Sequence, residues 1–147
     1  MTLDDATNER RQAVCDMEAI RQLRRRYAFS MEAGRLEGLD DVFAPHAQVI
    51  ASTTTMSGLP AIKVSLEAGC SELEAPASRQ RPFAHALVRH DIHLAGDGTA
   101  SGRCYVMDLG AGPISEPETA ICLKAFRDEY RRIDGKWRIT QTVIEPV

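Results

Sequence analysis

Apolar residues between positions 17 and 31 recur at three- and four-residue steps, which places them along one side of a helix. Either Leu23 or Arg24 occupies the step in the middle of this stripe. The pattern predicts a long helix from about residue 6 to residue 33, which Gly34 ends because glycine readily adopts the left-handed conformation found after helices.

Shorter patterns predict two more helices and a strand in the next part of the chain. The segment LEGLDDVF predicts a short helix that Pro45 stops, and QVIAS predicts a short strand. The segment SGLPAIKVSLEAG predicts another helix, with Pro60 in its first turn. Residues 70–81 follow no regular pattern, and we expect them to form a flap or a rim.

Strand patterns fill the second half of the chain. They predict strands over about 83–95, 99–109, 119–133 and 136–143. The turns are Gly-Asp-Gly at 96–98 and Asp-Gly at 134–135, because these residues tolerate the positive φ that tight hairpins need. Helices followed by an antiparallel meander predict an α+β fold. We expect a cone-shaped barrel of strongly curved antiparallel sheet, with the long helix and the short helices closing a pocket.

The first hairpin places a histidine opposite an aspartate. Its three-residue turn at 96–98 sets which residues of the two strands face each other, and Asp108 falls on the inner face. Strict alternation would turn His85 outward, but one β-bulge between Leu87 and Asp91 reverses its direction. His85 then lies directly across from Asp108, with Cβ atoms about 5 Å apart.

This histidine–aspartate pair is a candidate catalytic dyad. A carboxylate beside an imidazole fixes the tautomer of the ring and raises its basicity. The same pair could instead be a satisfied hydrogen bond in the wall of a strand. In the predicted register, His90 and His93 lie on the face opposite to His85. The three histidines therefore do not converge, and we expect no metal site.

The composition fits one globular domain over residues 1–147 that does not bind nucleic acid. The 147 residues are 44% hydrophobic and 27% charged, with a formal net charge of -3. A protein that binds nucleic acid needs a basic face, which this charge does not favour. The basic cluster RQLRRRY at 21–27 is either a solvated helix face or an interaction patch.

Cysteine spacing and the first residues favour a cytoplasmic location. The four cysteines form no Cys-x-x-Cys pair, so we expect them to stay reduced. The opening MTLDDATNERRQ lacks the apolar core of a signal peptide, and no run approaches the ~20 apolar residues of a membrane span. We expect a cytoplasmic protein without membrane contact.

Four segments carry a family resemblance and occur in the order that the family shows: EAIRQLRRRYAFSME, LDDVFAPHAQV, AHALVRHDIHLAGDGTASGRCYVMD and FRDEYRRIDGKWRI. They resemble a SnoaL-like protein of the nuclear transport factor two superfamily, over nearly the whole chain. Among enzymes of that family the pattern is most similar to bile-acid 7α-dehydratase. The resemblance implies an enclosed pocket, no cofactor, and a homodimer or a trimer.

The resemblance also implies a set of catalytic residues. Tyr27 stands at the family's tyrosine position, His85 at its strand histidine, and Asp108 at its aspartate. Glu32 replaces the usual aspartate at the end of the first helix and is one methylene longer. Tyr27 could instead be a core aromatic, and Glu32 a solvated carboxylate. Cys104 stands where scytalone dehydratase has a second histidine, so that enzyme's two-histidine mechanism does not transfer.

An apolar pocket with a few polar groups suits a small, hydrophobic, oxygenated ligand. We expect lyase or dehydratase chemistry on a steroid-like or polycyclic substrate, with His85 removing a proton beside a carbonyl. Tyr27 would donate a hydrogen bond to the oxygen that gains charge, and Glu32 would assist the departing hydroxyl. The residues expected to bind substrate are Met31, Leu87, Ile92, Cys104, Val106 and Phe126.

Other functions would use the same fold. An isomerase or a polyketide cyclase would need nearly the same groups, and a non-catalytic subunit like those of ring-hydroxylating dioxygenases would need none of them. The outer faces of the last three strands, which include Arg103, Tyr105 and Met107, mix polar and apolar side chains. A face of this kind is usually covered, so we expect a homodimer formed through it.

Overall fold

The computed structural model describes residues 2–73, 83–111 and 119–147. Within these residues, two α-helices and a 3₁₀ helix accompany a six-stranded sheet, and four of its strands lie in the second half of the chain. In chain order the elements are α1 (Leu3–Ala33), a 3₁₀ helix (Leu36–Asp41), β1 (Phe43–Ile50), β2 (Thr55–Ser57), α2 (Leu59–Leu73), β3 (Phe83–Leu94), β4 (Thr99–Ala111), β5 (Thr119–Ile133) and β6 (Lys136–Pro146).

The long helix α1 is confirmed, and residues at both ends define it. At its start the Thr2 hydroxyl accepts a hydrogen bond from the backbone N–H of Asp5, whose carboxylate bonds back to Thr2. At its end Gly34 has a φ of 64°, as predicted for the residue after the helix. Ile20 and Tyr27 are buried on the side that faces the sheet.

The sheet is mixed rather than antiparallel. Its strand order is β2-β1-β6-β5-β4-β3, and β1 runs parallel to β6 while every other pair is antiparallel. The prediction of a wholly antiparallel sheet is therefore wrong at one place, since hairpin signals report only strands that are neighbours in sequence. The sheet is open, with β2 and β3 at its edges, which is consistent with a curved, cone-like shape and confirms the α+β class.

The prediction that Pro45 stops a short helix is wrong. The 3₁₀ helix ends earlier, at Asp41, and β1 begins at Phe43, so Pro45 lies inside a strand. The pairing of β1 with β6 shifts register between Phe43 and Gln48, which accommodates a residue that has no N–H to donate. The short strand β2, which was not predicted, pairs with the end of β1.

The predicted register of the first hairpin is confirmed. Gly96 and Gly98 have φ values of 86° and 80°, and the backbone N–H of Ala95 donates to the carbonyl of Thr99. The β3–β4 pairing shifts between Leu87 and Arg89, so the predicted bulge lies at position 88. This irregularity reverses the alternation of the residues before it and so turns His85 toward the inner face of the sheet.

One orientation was predicted wrongly. His90 pairs with the buried Cys104 and therefore lies on the inner face of the sheet, not on the outer face with His93. The reason is the position of the bulge: Val88 is the extra residue, so the alternation of His90 and Ile92 is left unbroken. The inner face thus carries two histidines, one on each side of the bulge.

Candidate functional site

His85 and Asp108 form a close pair on the inner face of the β3–β4 hairpin. They are register partners, and Nδ1 of His85 lies 2.5 Å from Oδ1 of Asp108. The histidine is 6% exposed, so the contact is shielded from solvent. Because Nδ1 faces the carboxylate, the proton of the neutral ring belongs on Nδ1 and Nε2 is the basic nitrogen.

Lys124 completes a trio that the sequence reasoning missed. Its Nζ donates to Oδ2 of Asp108 at 2.9 Å, from the neighbouring strand β5. A signal was present, because Phe126 was predicted to face inward and a residue two positions earlier shares its face. Burial alone would raise the pKa of Asp108, but the contacts with His85 and Lys124 outweigh it and hold that pKa below its usual range. Asp108 is therefore ionised at neutral pH.

Two aromatic rings surround the imidazole. The Tyr27 ring meets the His85 ring edge to face with centroids 5.3 Å apart, and the Phe126 ring lies nearly parallel at 6.2 Å. Tyr27 and Phe126 also contact each other, with centroids 5.9 Å apart. The structure thus brings α1, β3 and β5 together around His85, and low polarity around the ring strengthens its interaction with Asp108.

The side chain of Glu32 contacts the backbone of β3. Its Oε1 accepts a hydrogen bond from the backbone N–H of His85 at 2.7 Å, although the residue itself is exposed. This bond ties the end of α1 to the start of β3. The contact places the carboxylate beside His85 but on the main-chain side, and a part for Glu32 in proton transfer stays a prediction.

The remaining predicted pocket residues are packed in the core. Cys104 and Val106 are fully buried, and Met31, Leu87 and Ile92 pack against the core while partly exposed. Of the residues predicted to bind substrate, Phe126 is the one that borders the internal cavity described next.

A small cavity lies on the far side of the Tyr27–Phe126 pair. Its volume is about 30 Å³, enough for a single water molecule. Phe43, Met56 and Ile62, from β1, β2 and α2, form much of its apolar wall. The cavity is therefore bounded by different elements from those that the sequence analysis expected, because the packing of α2 and β2 over the sheet could not be derived from residue patterns.

The polar corner of this cavity is a buried ion pair. Arg24 is 1% exposed, and its Nε and Nη2 donate to Asp128 at 2.8 Å and 2.5 Å. Nη2 also donates to Thr142 Oγ1 at 2.9 Å, and the Thr142 hydroxyl donates to Asp128 at 2.8 Å. Burial alone would lower the pKa of Arg24, but the charge of Asp128 raises it, so the guanidinium is charged. The prediction of a solvated basic face fails at Arg24 and holds for Arg25 and Arg26, which are exposed.

Tyr130 and His90 extend this cluster toward β3. The Tyr130 hydroxyl donates to Asp128 Oδ2 at 2.9 Å, and His90 Nε2 lies 2.8 Å from the same hydroxyl. Because the phenol has one proton, His90 Nε2 must be the donor in the second contact. Gly102 leaves room for the Tyr130 ring, since a Cβ there would lie 3.1 Å from Cε2 and 2.7 Å from the Asp91 carbonyl.

We expect the protein to become less stable as the pH is lowered, and we expect part of this loss to come from His90. Burial lowers the pKa of His90 from 6.5 to about 4, against the charge of Asp128 and together with that of Arg24. The unfolded chain therefore takes up this proton first, and the stabilisation is complete above pH 6.5 and is lost as pH falls toward 4. Urea unfolding from pH 4 to 7 should give a shallower pH dependence for His90→Gln than for wild type.

The matched control for this experiment is His93→Gln, since His93 is exposed on the outer face of the same strand. That variant should keep the wild-type dependence. A His90→Gln profile that runs parallel to wild type would show that His90 is not neutral in the folded protein.

Cys15, Cys104 and the possible metal ligands of the described residues form no second site. Burial raises the pKa of Cys104 to about 11, so this thiol is protonated at neutral pH. Cys15 is exposed and free. Within residues 2–73, 83–111 and 119–147, no three histidine, cysteine or acidic side chains are grouped so that they could hold a metal ion. The flap or rim predicted over residues 70–81 falls largely outside these ranges.

Comparison with known proteins supports the fold and the family. The sequence matches the model of the SnoaL-like domain over residues 12–143. No curated protein matches it. In the part of the chain that the structure describes, no helix is long and apolar enough to cross a membrane.

Several solved structures share the architecture. An NTF2-like protein with a cystatin-like fold from Novosphingobium aromaticivorans is 24% identical, with a TM-score of 0.83, and the match covers 99% of this chain and 92% of that one. A candidate scytalone dehydratase from the same organism is 19% identical (TM-score 0.74, 92% and 86% covered). A candidate aromatic ring hydroxylase from that organism is 21% identical (TM-score 0.73, 91% and 90% covered). At these identities the likeness shows the fold alone.

Proposed function

This chain belongs to the SnoaL-like domain family, which includes polyketide cyclases and dehydratases, and we propose that it is a cofactor-independent lyase of the dehydratase type. Its substrate would be a small, hydrophobic, oxygenated molecule of steroid-like or polycyclic shape. The observation that carries this proposal is the trio of His85, Asp108 and Lys124 beside the Tyr27 ring, in which His85 is buried and the other two are partly exposed. The finer resemblance to bile-acid 7α-dehydratase is part of the proposal.

In the proposed reaction His85 Nε2 removes a proton from a carbon next to a carbonyl. Asp108 holds Nδ1–H and stabilises the imidazolium that forms, and Lys124 keeps Asp108 ionised and oriented. Tyr27 donates a hydrogen bond to the oxygen on which negative charge develops. When the electrons return from this oxygen, a C=C bond forms and the C–O bond on the next carbon breaks. The departing hydroxyl leaves as water with the proton that His85 took up, a transfer that Glu32 assists.

Glu32 and the apolar residues have supporting parts in this proposal. Glu32 accepts a hydrogen bond from the backbone N–H of His85 and so helps to position the imidazole. In this proposal it also assists proton transfer to the departing hydroxyl. Met31, Leu87, Ile92, Cys104, Val106 and Phe126 would bind the apolar body of the substrate.

An isomerase or a cyclase would begin with the same proton abstraction, so the products decide between these reactions. A non-catalytic subunit would have no use for the trio. Holding a partly buried carboxylate against a buried imidazole costs some desolvation energy, which a purely structural contact avoids with apolar residues. The trio therefore favours an enzyme over a binding subunit.

The first step can be tested without the natural substrate. In D₂O the protein should accelerate exchange of the acidic C–H protons of 2-tetralone, a bicyclic ketone, followed by proton NMR. Asp108→Asn should slow this exchange, because the amide cannot stabilise the imidazolium. Asp91→Asn is the matched control, since Asp91 is an exposed carboxylate on the outer side of β3. Exchange at the rate of buffer with wild-type protein, or equal exchange by both variants, would contradict the proposal.

We also propose that the protein is a homodimer that pairs through the outer face of the sheet. On this face Arg103 and Arg127 share the carboxylate of Glu145, and the side chains of Tyr105 and Leu123 lie beside them. Light scattering after gel filtration at micromolar concentration should give twice the 16.2 kDa chain mass. Leu123→Glu should shift the protein toward monomer, because it would bury an unpaired charge. A monomer, or a trimer, in the wild-type protein would contradict this assembly.

A further inference from the structure

The internal cavity has one polar corner, formed by Arg24 and Thr142, and is otherwise walled mainly by apolar side chains. Arg24 also lies against both rings that surround His85. Its Cζ is 4.3 Å from the centroid of Phe126 and 5.0 Å from that of Tyr27. The buried guanidinium and the imidazole are thus each one contact away from the same aromatic pair, so a ligand that meets these rings could reach both groups.

The hydrogen bonds of the cluster leave one donor group facing this corner. Asp128 accepts four bonds, from Arg24 Nε, Arg24 Nη2, Thr142 and Tyr130, so its lone pairs are saturated. The hydroxyl proton of Thr142 is committed to Asp128. Three N–H groups of Arg24 are used, on Nε and Nη2, and among the residues described here no hydrogen bond involves Nη1. Because Arg24 lines the cavity and Nη1 is its unused nitrogen, we infer that the two N–H groups of Nη1 point into the cavity.

Charge balance restricts what this corner can accept. Arg24 and Asp128 form a bidentate ion pair, so together they carry no net charge. An anionic ligand would bring an uncompensated negative charge into an apolar cavity, at a high desolvation cost. A neutral hydrogen-bond acceptor needs no counter-charge and satisfies the donors of Nη1. A volume of about 30 Å³ fits one such oxygen atom.

We propose that Arg24 Nη1 anchors a neutral carbonyl oxygen of the ligand, at the end away from the atom on which His85 acts. This inference rests on the proposed function for the nature of the ligand, a hydrophobic oxygenated molecule, and adds which oxygen is recognised and by which residue. Arg24 acts here as a specificity residue, because a hydrocarbon of the same shape would leave its buried donors without a partner.

The wall of the cavity can make room for the rest of such a ligand. Met56 and Leu66, on β2 and α2, line the cavity and are partly exposed, whereas Phe43 and Ile62, which also line it, are buried. Displacing partly exposed side chains loses less packing than displacing buried ones, and methionine adapts readily to a new shape. We therefore expect the cavity to enlarge on the side of β2 and α2.

A pair of probes that differ by one oxygen tests the anchor. Calorimetric titration of wild-type protein should show that 6-acetyl-2-tetralone binds at least ten-fold more tightly than 6-ethyl-2-tetralone, in which a CH₂ group replaces the distal carbonyl, as a hydrogen bond to a charged group implies. In the double variant Arg24→Met, Asp128→Leu this preference should disappear, and no buried charge is left behind. The control is Arg25→Met, an exposed neighbour that should keep the preference.

Other results would overturn the inference. Equal binding of the two probes by wild type, binding of neither, or a preference that survives in the double variant would each refute it. If the double variant does not fold, a crystal structure of wild type with 6-acetyl-2-tetralone decides: the acetyl oxygen must lie within hydrogen-bond distance of Arg24 Nη1. Loss of the probe preference with intact Asp108-dependent exchange would refute this inference alone, whereas an intact preference without exchange would refute the proposed reaction alone.

Discussion

His85→Ala should lower the turnover of any confirmed substrate by roughly 10²- to 10⁴-fold, the usual effect of removing a well-placed general base. In free energy this is about 3 to 5 kcal/mol of barrier. The loss should appear in kcat more than in KM, because proton abstraction is a feature of the transition state. The imidazole is held by contacts with Tyr27, Phe126 and Asp108, so its truncation removes the basic nitrogen that these contacts position.

The variant series orders the residues by their distance from the reacting atom. Asp108→Asn should lose less activity than His85→Ala, and Lys124→Met less than Asp108→Asn, since each residue acts through the one before it. Tyr27→Phe should lower kcat with little change in KM. His93→Ala provides the control, as an exposed histidine of the same strand. Near-full activity of folded His85→Ala would exclude a general-base role.

Arg24→Met should destabilise the folded protein by about 3–5 kcal/mol, because it leaves the carboxylate of Asp128 buried without its counter-charge. Asp128 is 0% exposed and would keep hydrogen bonds only from Thr142 and Tyr130. A loss of this size is a large fraction of the stability of a typical domain. Urea unfolding at pH 7, followed by circular dichroism, measures it.

The double variant Arg24→Met, Asp128→Leu should recover much of this loss, since an apolar pair of similar volume often replaces a buried ion pair at little cost. Arg26→Met should change stability little, because Arg26 is exposed on the same helix. If the single variant were as stable as wild type, the Arg24–Asp128 pair would contribute nothing to the fold. If the double variant were less stable than the single one, the carboxylate would be tolerated without its partner.

The register of the β3–β4 hairpin could be predicted because local features determine it. The Gly96–Gly98 turn sets the pairing, and the conflict between the inward positions of Ile92 and His85 requires one bulge. From these two constraints the contact between His85 and Asp108 follows directly. The orientation of His90 was missed because the argument located the bulge only to within a few residues.

The buried cluster could not be predicted in the same way. In the helical pattern Leu23 and Arg24 were equivalent candidates for the buried step, and the partners of Arg24 lie 104 and 118 residues further along the chain. Burial of an arginine depends on those partners and not on its helical neighbours. The same holds for the β1–β6 pair, in which no turn joins the two strands.

The parallel β1–β6 pair also constrains how the chain folds. Phe43 pairs with Ile139, so an interior position of the sheet is filled by a strand that is synthesised after the other five described strands. Until β6 emerges from the ribosome, β1 and β2 have no strand that connects them to the β3–β5 meander. Contacts so distant in sequence require a long loop to close, which slows folding. We therefore expect refolding to be limited by insertion of β6, after the local hairpins have formed.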